Sequence, residues 1–257
     1  MRLYRDYIFD LYGTLVDIRT NEKQQMLWNK MSLFYGYYGA DYTPEELEIS
    51  YGTLVSEKEE KAGHKAEKTD DTEHERLYAH ESYPEIPIEE VFRELYTNKG
   101  IEAGEELVIH TAQMFRVLST HHIRLYAGAK ELLRQLRDMG RRVYLLSNAQ
   151  RVFTEQELRY LQIDDYFDGI LISSDHGVKK PDERFFRILL DEYQIEPENA
   201  LMIGNDLDSD IAGAKRIGMD TFYIHSDISP ECSRKSDADY TMMKMDMRSL
   251  RRQILLR

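Results

Sequence analysis

The chain has 257 residues, with 47 acidic against 34 basic side chains, a formal net charge of −13 and a pI near 5.1. That balance argues against nucleic acid as a partner, because a phosphate backbone demands a basic surface, while 42% apolar and 11% aromatic residues suffice for a sizeable core, as one large domain or two small ones. The longest apolar runs, such as 200–204, fall far short of the ~20 residues of a membrane span, the amino terminus lacks a secretory pattern, and the single Cys232 excludes an internal disulfide, so a cytoplasmic location is expected.

In chain order, the apolar run 7–9 followed by the turn-forming Gly13 predicts a buried strand with Asp10 at its carboxyl end. From Asn21 to Thr120 the periodicity is helical, interrupted at Gly36, Gly39, Pro44, Pro84, Pro87 and Gly100, and predicts about four helices and no strand. The stretch 58–76 is almost entirely polar and reads as a solvated helix end and loop. Trp28, Tyr42, Tyr51 and the aromatics of 34–39 sit at helical spacing, which favours packing within the insert or against the rest of the chain over the lining of a ring-binding pocket. His121 and His122 fall where the insert returns, a position where adjacent histidines are expected to be exposed.

Beyond Leu125, helices are predicted at 128–139, after Thr154, at 182–193 and at 208–217, alternating with strands at 142–146, 167–172, 200–203 and 221–224. Such alternation implies right-handed βαβ crossovers, an α/β fold with a Rossmann-like parallel sheet and helices on both faces. Ligands of such sheets bind at the carboxyl ends of the strands, here the loops after Phe9, Leu146, Ile172 and Ile203.

Each of these loops carries polar chemistry. Asp10 can act as a nucleophile, a hard-cation ligand or a simple helix cap, with Thr14 close by. Ser147 and Asn148 offer donors for an anionic oxygen, or a helix cap. Lys180, restricted by Pro181, becomes either a fixed point charge or one of two solvated lysines. Asn205, Asp206, Asp208 and Asp210 crowd together after an apolar run, and carboxylates so close must be solvated or share a cation; oxygen ligands without cysteine or histidine suit Mg²⁺. Asp208 is expected to cap the following helix rather than bind metal.

The four stretches DLYGT at 10–14, SN at 147–148, KP at 180–181 with the preceding Gly177, and GNDLDSD at 204–210 together resemble the ordered motifs of the haloacid dehalogenase superfamily. The resemblance covers the whole chain, with 1–18 and 122–257 as a Rossmann-like core and 19–121 as the superfamily's α-helical cap. It implies that Asp10 attacks phosphorus, or a carbon bearing halide, to form a covalent aspartyl intermediate that water hydrolyses. It further implies that Thr14, Ser147 and Asn148 bind the transferring group, that Lys180 neutralises charge, and that Mg²⁺ is held by Asp10, the Tyr12 carbonyl, Asn205, Asp206 and Asp210.

Tyr12 departs from the superfamily's phosphatases, which carry an aspartate there as general acid and base. A phenol with pKa ~10 is a poor base at neutral pH, and losing the carboxylate removes up to the ~10²- to 10⁴-fold typical of acid–base catalysis. Three functions fit: a Mg²⁺-dependent hydrolase of a small phosphate ester, a metal-independent 2-haloacid dehalogenase, and a weakly catalytic ligand-binding protein. The first is preferred, because the acidic loop has no evident purpose without a cation, and because the arginine with which dehalogenases hold the substrate carboxylate has no counterpart between Thr20 and Glu75, while Arg76 substitutes for it only if the polar stretch folds over the pocket.

Overall fold

The computed structural model describes residues 2–68, 83, 85–231 and 236–255, with backbone alone for 64–68. The expectations for Cys232, Arg76 and the polar stretch beyond residue 68 fall outside those residues. The chain runs β1 (Asp6–Phe9), β2 (Val16–Thr20), α1 (Gln25–Tyr37), α2 (Pro44–Lys68), α3 (Glu89–Thr97), α4 (Glu105–Ser119) and β3 (Thr120–Leu125). It continues through α5 (Ala129–Asp138), β4 (Arg142–Ser147), α6 (Arg151–Leu161), β5 (Gly169–Ile172), the short α7 (Ser173–His176) and α8 (Glu183–Tyr193). It ends with β6 (Ala200–Gly204), a π-helical turn (Leu207–Ile211), α9 (Ala212–Arg216), β7 (Asp220–Ile224), β8 (Tyr240–Met242) and α10 (Met247–Leu255).

The six-stranded sheet has the order β5-β4-β1-β6-β7-β8 and every pairing in it is parallel. The α/β fold read from the sequence is the fold observed. Central strands of a parallel sheet are covered on both faces, so they read as continuous apolar runs, and successive side chains still divide between the faces. Tyr7, Phe9, Val143, Leu145, Leu201 and Ile203 pack on one side with Leu132, Leu133 and Leu136 of α5 and Leu250 and Ile254 of α10. Ile8, Tyr144, Leu146, Ala200 and Met202 pack on the other with Phe185, Phe186 and Leu189 of α8.

Helices α1 to α4 enclose a core of their own. Trp28, Tyr51, Phe92 and Phe115 meet there with ring centroids 5.0–5.7 Å apart, and Tyr35 lies 4.3 Å from Tyr96. Packing therefore accounts for most of the insert's aromatics, whereas Tyr37 and Tyr38 are exposed. No helix among the described residues is long and apolar enough to cross a membrane.

Several boundaries differ from the sequence reading. Strands β2 and β3 form an antiparallel pair that carries the chain into and out of the insert, and β8 and α10 extend the carboxyl-terminal part. Helix α6 begins at Arg151 rather than after Thr154. The helix expected over 208–217 is divided into the π-helical turn and α9, so the cap is Asp206, which accepts from the Asp208 and Ser209 amides, and not Asp208. His121 is exposed as expected, but His122 is half-buried and meets Asp17 at 2.9 Å.

Candidate active site

Four loops converge at the carboxyl ends of β1, β4, β5 and β6 because those strands are neighbours. The Asp10 amide donates to the Ile203 carbonyl at 2.9 Å, continuing the β1–β6 ladder, and this holds the carboxylate where the apolar run ends. Lys180, only 3% exposed, reaches the same point. Its ammonium donates to Asp10 Oδ1 at 2.8 Å, Asp210 Oδ1 at 2.7 Å and the Leu146 carbonyl at 2.7 Å, which uses all three of its protons. Burial alone would push the Lys180 pKa down, but the two carboxylates hold it above its usual value, so it stays charged. Burial pushes the Asp210 carboxyl up to about 7; Lys180 opposes this rise and Asp10 adds to it.

Asn148 is committed to backbone. Its amide nitrogen donates to the Lys180 carbonyl at 2.9 Å and its oxygen accepts from the Lys180 amide at 2.8 Å, so the side chain clamps the lysine's main chain with its oxygen and one of its two amide protons. Ser147 closes β4 fully buried, and its hydroxyl has no hydrogen-bond partner among the described residues. A buried hydroxyl left unmade costs about 1–3 kcal/mol, a deficit that a ligand oxygen would relieve. Thr14 Oγ1 donates to Asp10 Oδ2 at 3.2 Å.

Asn205 lies against the Asp10 loop so closely that a Cβ at Gly13 would sit 2.2 Å from its amide, and Gly13 also has φ +83°. Only glycine meets both demands. Gly204 serves likewise, since a Cβ there would fall 2.2 Å from Asp210 Oδ2. The end of the Asn205 amide that faces the loop lies 3.3 Å from Asp10 Oδ2 and 3.1 Å from the Tyr12 carbonyl. With oxygen at that end, three oxygens converge beside the Thr14 hydroxyl, whose single proton can go to Asp10 Oδ2 at 3.2 Å or to the Asn205 oxygen at 3.3 Å, and the two separations from Asn205 lie close to the ~3 Å edge of an octahedron with metal–oxygen distances of about 2.0–2.1 Å. With nitrogen there, the amide donates to both neighbours. With the amide oxygen inward the donor set fits a hard cation, held by one carboxylate, one amide oxygen and one backbone carbonyl; with its nitrogen inward the amide satisfies those oxygens itself. Among the described residues no group of three or more His, Cys, Asp or Glu side chains is placed to hold a metal. Asp206 and Asp210, expected beside the cation, are engaged otherwise: Asp206 Oδ1 accepts from the Asp208 amide at 2.8 Å, and Asp210 accepts from Lys180 and from the Asp206 amide at 3.0 Å.

The Tyr12 side chain turns to α6. Its hydroxyl donates to the Glu157 carboxylate and accepts from Thr154 Oγ1 at 3.0 Å. Arg116 of α4 donates to Glu157 Oε1 at 2.6 Å and lies 5.5 Å from the Tyr12 ring centroid. These partners, 104 to 145 residues from Tyr12, carry no local signal in the sequence. Burial, reinforced by the Glu157 charge, pushes the Tyr12 phenol above its usual range. A cavity of about 530 Å³ opens between α4, β3 and α6, lined by Arg116, His122, Phe153, Glu157 and Tyr160 among others; neither Asp10 nor Lys180 lines it. Glu85 is a second residue the sequence did not reveal. It joins the insert to the core loops, accepting from Ser173 Oγ at 3.0 Å and from Gln150 Nε2 at 3.3 Å, with its amide donating to the Gly177 carbonyl at 3.1 Å.

Known proteins agree with this arrangement at two levels. The chain is 36% identical over 103 residues to a glyceraldehyde 3-phosphate phosphatase of Pyrococcus abyssi, 40% of this chain and 43% of that protein. It is 29% identical over 143 residues to a phosphoserine phosphatase of Thermus thermophilus, 56% of each. The chain spans about half the length of these curated relatives. Among solved structures, the fold is shared with a 2-haloacid dehalogenase of Pseudomonas syringae, at TM-score 0.60 and 18% identity over 94% of this chain and 95% of that one. It is shared too with a phosphatase of Thermococcus onnurineus, at 0.57 and 18% over 98% of each. The family model for haloacid dehalogenase-like hydrolases matches residues 6–218, most of the chain and all four loops, and the chain belongs to that family of hydrolases.

Proposed function

We propose that the chain hydrolyses a small phosphorylated metabolite, with Asp10 as nucleophile. The supporting observation is the convergence of Asp10 Oδ2, the Tyr12 carbonyl and the Asn205 amide beside a carboxylate already held by Lys180. Its relatives named as phosphatases favour the same substrate class. Residues 1–18 and 122–257 form the catalytic core in this proposal, and 19–121 the cap that selects the substrate.

Asp10 attacks phosphorus, an oxygen–phosphorus bond forms to the aspartyl side chain, and the bond to the leaving oxygen breaks with its electron pair. Water then attacks the same phosphorus, releasing inorganic phosphate and restoring the carboxylate. Lys180 holds the nucleophile's orientation and offsets its charge against an incoming phosphate. Ser147 supplies a hydroxyl with a free bonding capacity to a phosphate oxygen. Mg²⁺ held by Asp10, the Tyr12 carbonyl and Asn205 would reduce the repulsion between two anions and stabilise charge in the transition state. Asp206 and Asp210 contribute by capping the π-helical turn and fixing Lys180. The leaving oxygen cannot take its proton from Tyr12, whose proton is held by Glu157, so good leaving groups react fastest.

A second reading, 2-haloacid dehalogenation, is favoured by that same held proton, because halide leaves without one. Asp10 would then attack carbon, halide would depart with the electron pair, and water would hydrolyse the ester. Hydrolysis of an activated aryl phosphate that requires Mg²⁺ and is lost in Asp10→Asn supports the phosphatase; metal-independent halide release without phosphatase activity replaces it.

A further inference from the structure

The hydroxyl of Tyr12 belongs to a network that joins three separate parts of the chain. Tyr12 lies in the loop that carries Asp10, Thr154 and Glu157 lie on α6, and Arg116 lies in the last turn of α4, where the helical insert returns. Arg116 grips Glu157 through two nitrogens, Nε at 2.6 Å and Nη2 at 3.4 Å, and its guanidinium also lies 5.2 Å from the Phe153 ring. Its own carbonyl accepts from Ser119 Oγ at 3.0 Å and Thr120 Oγ1 at 2.7 Å, the residues at which α4 passes into β3. The ion pair is mostly out of water, with the Arg116 side chain 17% and the Glu157 side chain 12% exposed. Charge-assisted bonds in such surroundings are stronger and more directional than at the surface.

The other side of the same loop is held by its own backbone. The Gly13 amide donates to the Val16 carbonyl at 2.8 Å, and the Leu15 and Val16 amides donate to the Leu11 carbonyl at 2.8 and 2.9 Å. Tyr12 stands between this turn and α6, so a shift of α4 reaches Asp10 through one carboxylate and one phenol. The geometry points to Tyr12, Glu157 and Arg116 as a positioning unit, through which the placement of the helical insert sets the placement of the nucleophile loop. The phenol occupies the position of an acid but acts as an anchor. The inference rests on the reading of Asp10 as nucleophile for its kinetic consequence, and not for its structural one.

The test measures native-state hydrogen exchange of the segment 11–16 in the full chain and in Arg116→Gln and Glu157→Gln, with β7 as internal reference. Local openings report the stability of the contacts that close them, so both variants are expected to exchange 11–16 at least about fivefold faster while β7 is unchanged. The double variant is expected to add little, since the two act as one unit. If the unsubstituted chain turns over an aryl phosphate, each variant is expected to lose about tenfold in kcat with KM within about twofold, because misplacement by under an ångström costs rate more than binding. Unchanged exchange over 11–16, or faster exchange that extends to β7, overturns the inference, as does an unchanged kcat in an active enzyme. A chain that hydrolyses no phosphate ester contradicts the phosphatase reading and leaves the exchange result to decide this one.

Discussion

A phenol two residues beyond the proposed nucleophile can donate to a leaving oxygen only if its proton is free, and at Tyr12 it is given to Glu157. Placing aspartate there alone would set a carboxylate against Glu157, so the informative variant is Tyr12→Asp with Glu157→Gln. It is expected to raise the ratio of alkyl to aryl phosphate hydrolysis, up to the ~10²-fold lower range for a restored general acid, on top of the loss of rate on both that follows from breaking the Tyr12–Glu157–Arg116 unit. An unchanged ratio would show that proton donation is not what the chain lacks. Because burial, reinforced by the Glu157 charge, holds the phenol above its ordinary range, an alkaline limb of the rate profile belongs to another group. Tyr12→Phe is expected to leave that limb in place, and its displacement would assign it to the phenol. Lys180 gives a stability prediction with a definite sign. Lys180→Met leaves two buried carboxylates without their cation and is expected to cost about 3–5 kcal/mol near pH 8. The cost shrinks near pH 6. Burial already raises Asp210 to about 7, above its unfolded value, so the folded state binds the extra proton and stability falls as pH rises through that range. Urea denaturation at the two pH values checks it.

At the scale of elements, what could be read from the sequence depended on burial. Strands β1, β4 and β6 stood out because both their faces are covered, which leaves a continuous apolar run. Strands β2 and β3, with the sequences VDIRT and THHIRL, did not, because each shows a partly solvated face and their pairing spans about a hundred residues. The Asp10 loop, Lys180 and Asn205 were legible as residue types at strand ends. Their division of labour was not, because a carboxylate that caps a π-helical turn and one that binds a lysine look alike in sequence; only the Asp206 and Asp210 contacts separate them. Glu85 was invisible for the same reason as Glu157: its partners Gln150 and Ser173 lie 65 and 88 residues away. Glu85→Ala is expected to cost about 1–3 kcal/mol, the range for hydrogen bonds to a charged group. A loss within ±0.5 kcal/mol by urea denaturation would mean that the joint between insert and core is held elsewhere.

For the whole molecule, the two sides of the sheet and the helical insert each bury a core, and the candidate site lies where the sheet's strands end and the insert's return helix meets them. A net charge of −13 repels a phosphate at long range, so in the proposed reaction recognition would rest on a few local groups, namely the Lys180 ammonium, the Ser147 hydroxyl, unpartnered among the described residues, and a cation held by the oxygens around Asn205. That economy is what separates the two proposed reactions, since one would use those oxygens for a cation and the other would not. The most direct measurement is a paired assay of the purified chain on an activated aryl phosphate and a 2-haloacid, each with Mg²⁺ and with chelator, alongside Asp10→Asn. The account predicts phosphate release that needs Mg²⁺ and disappears in Asp10→Asn; halide release that is indifferent to chelator, with no phosphate released, would contradict it.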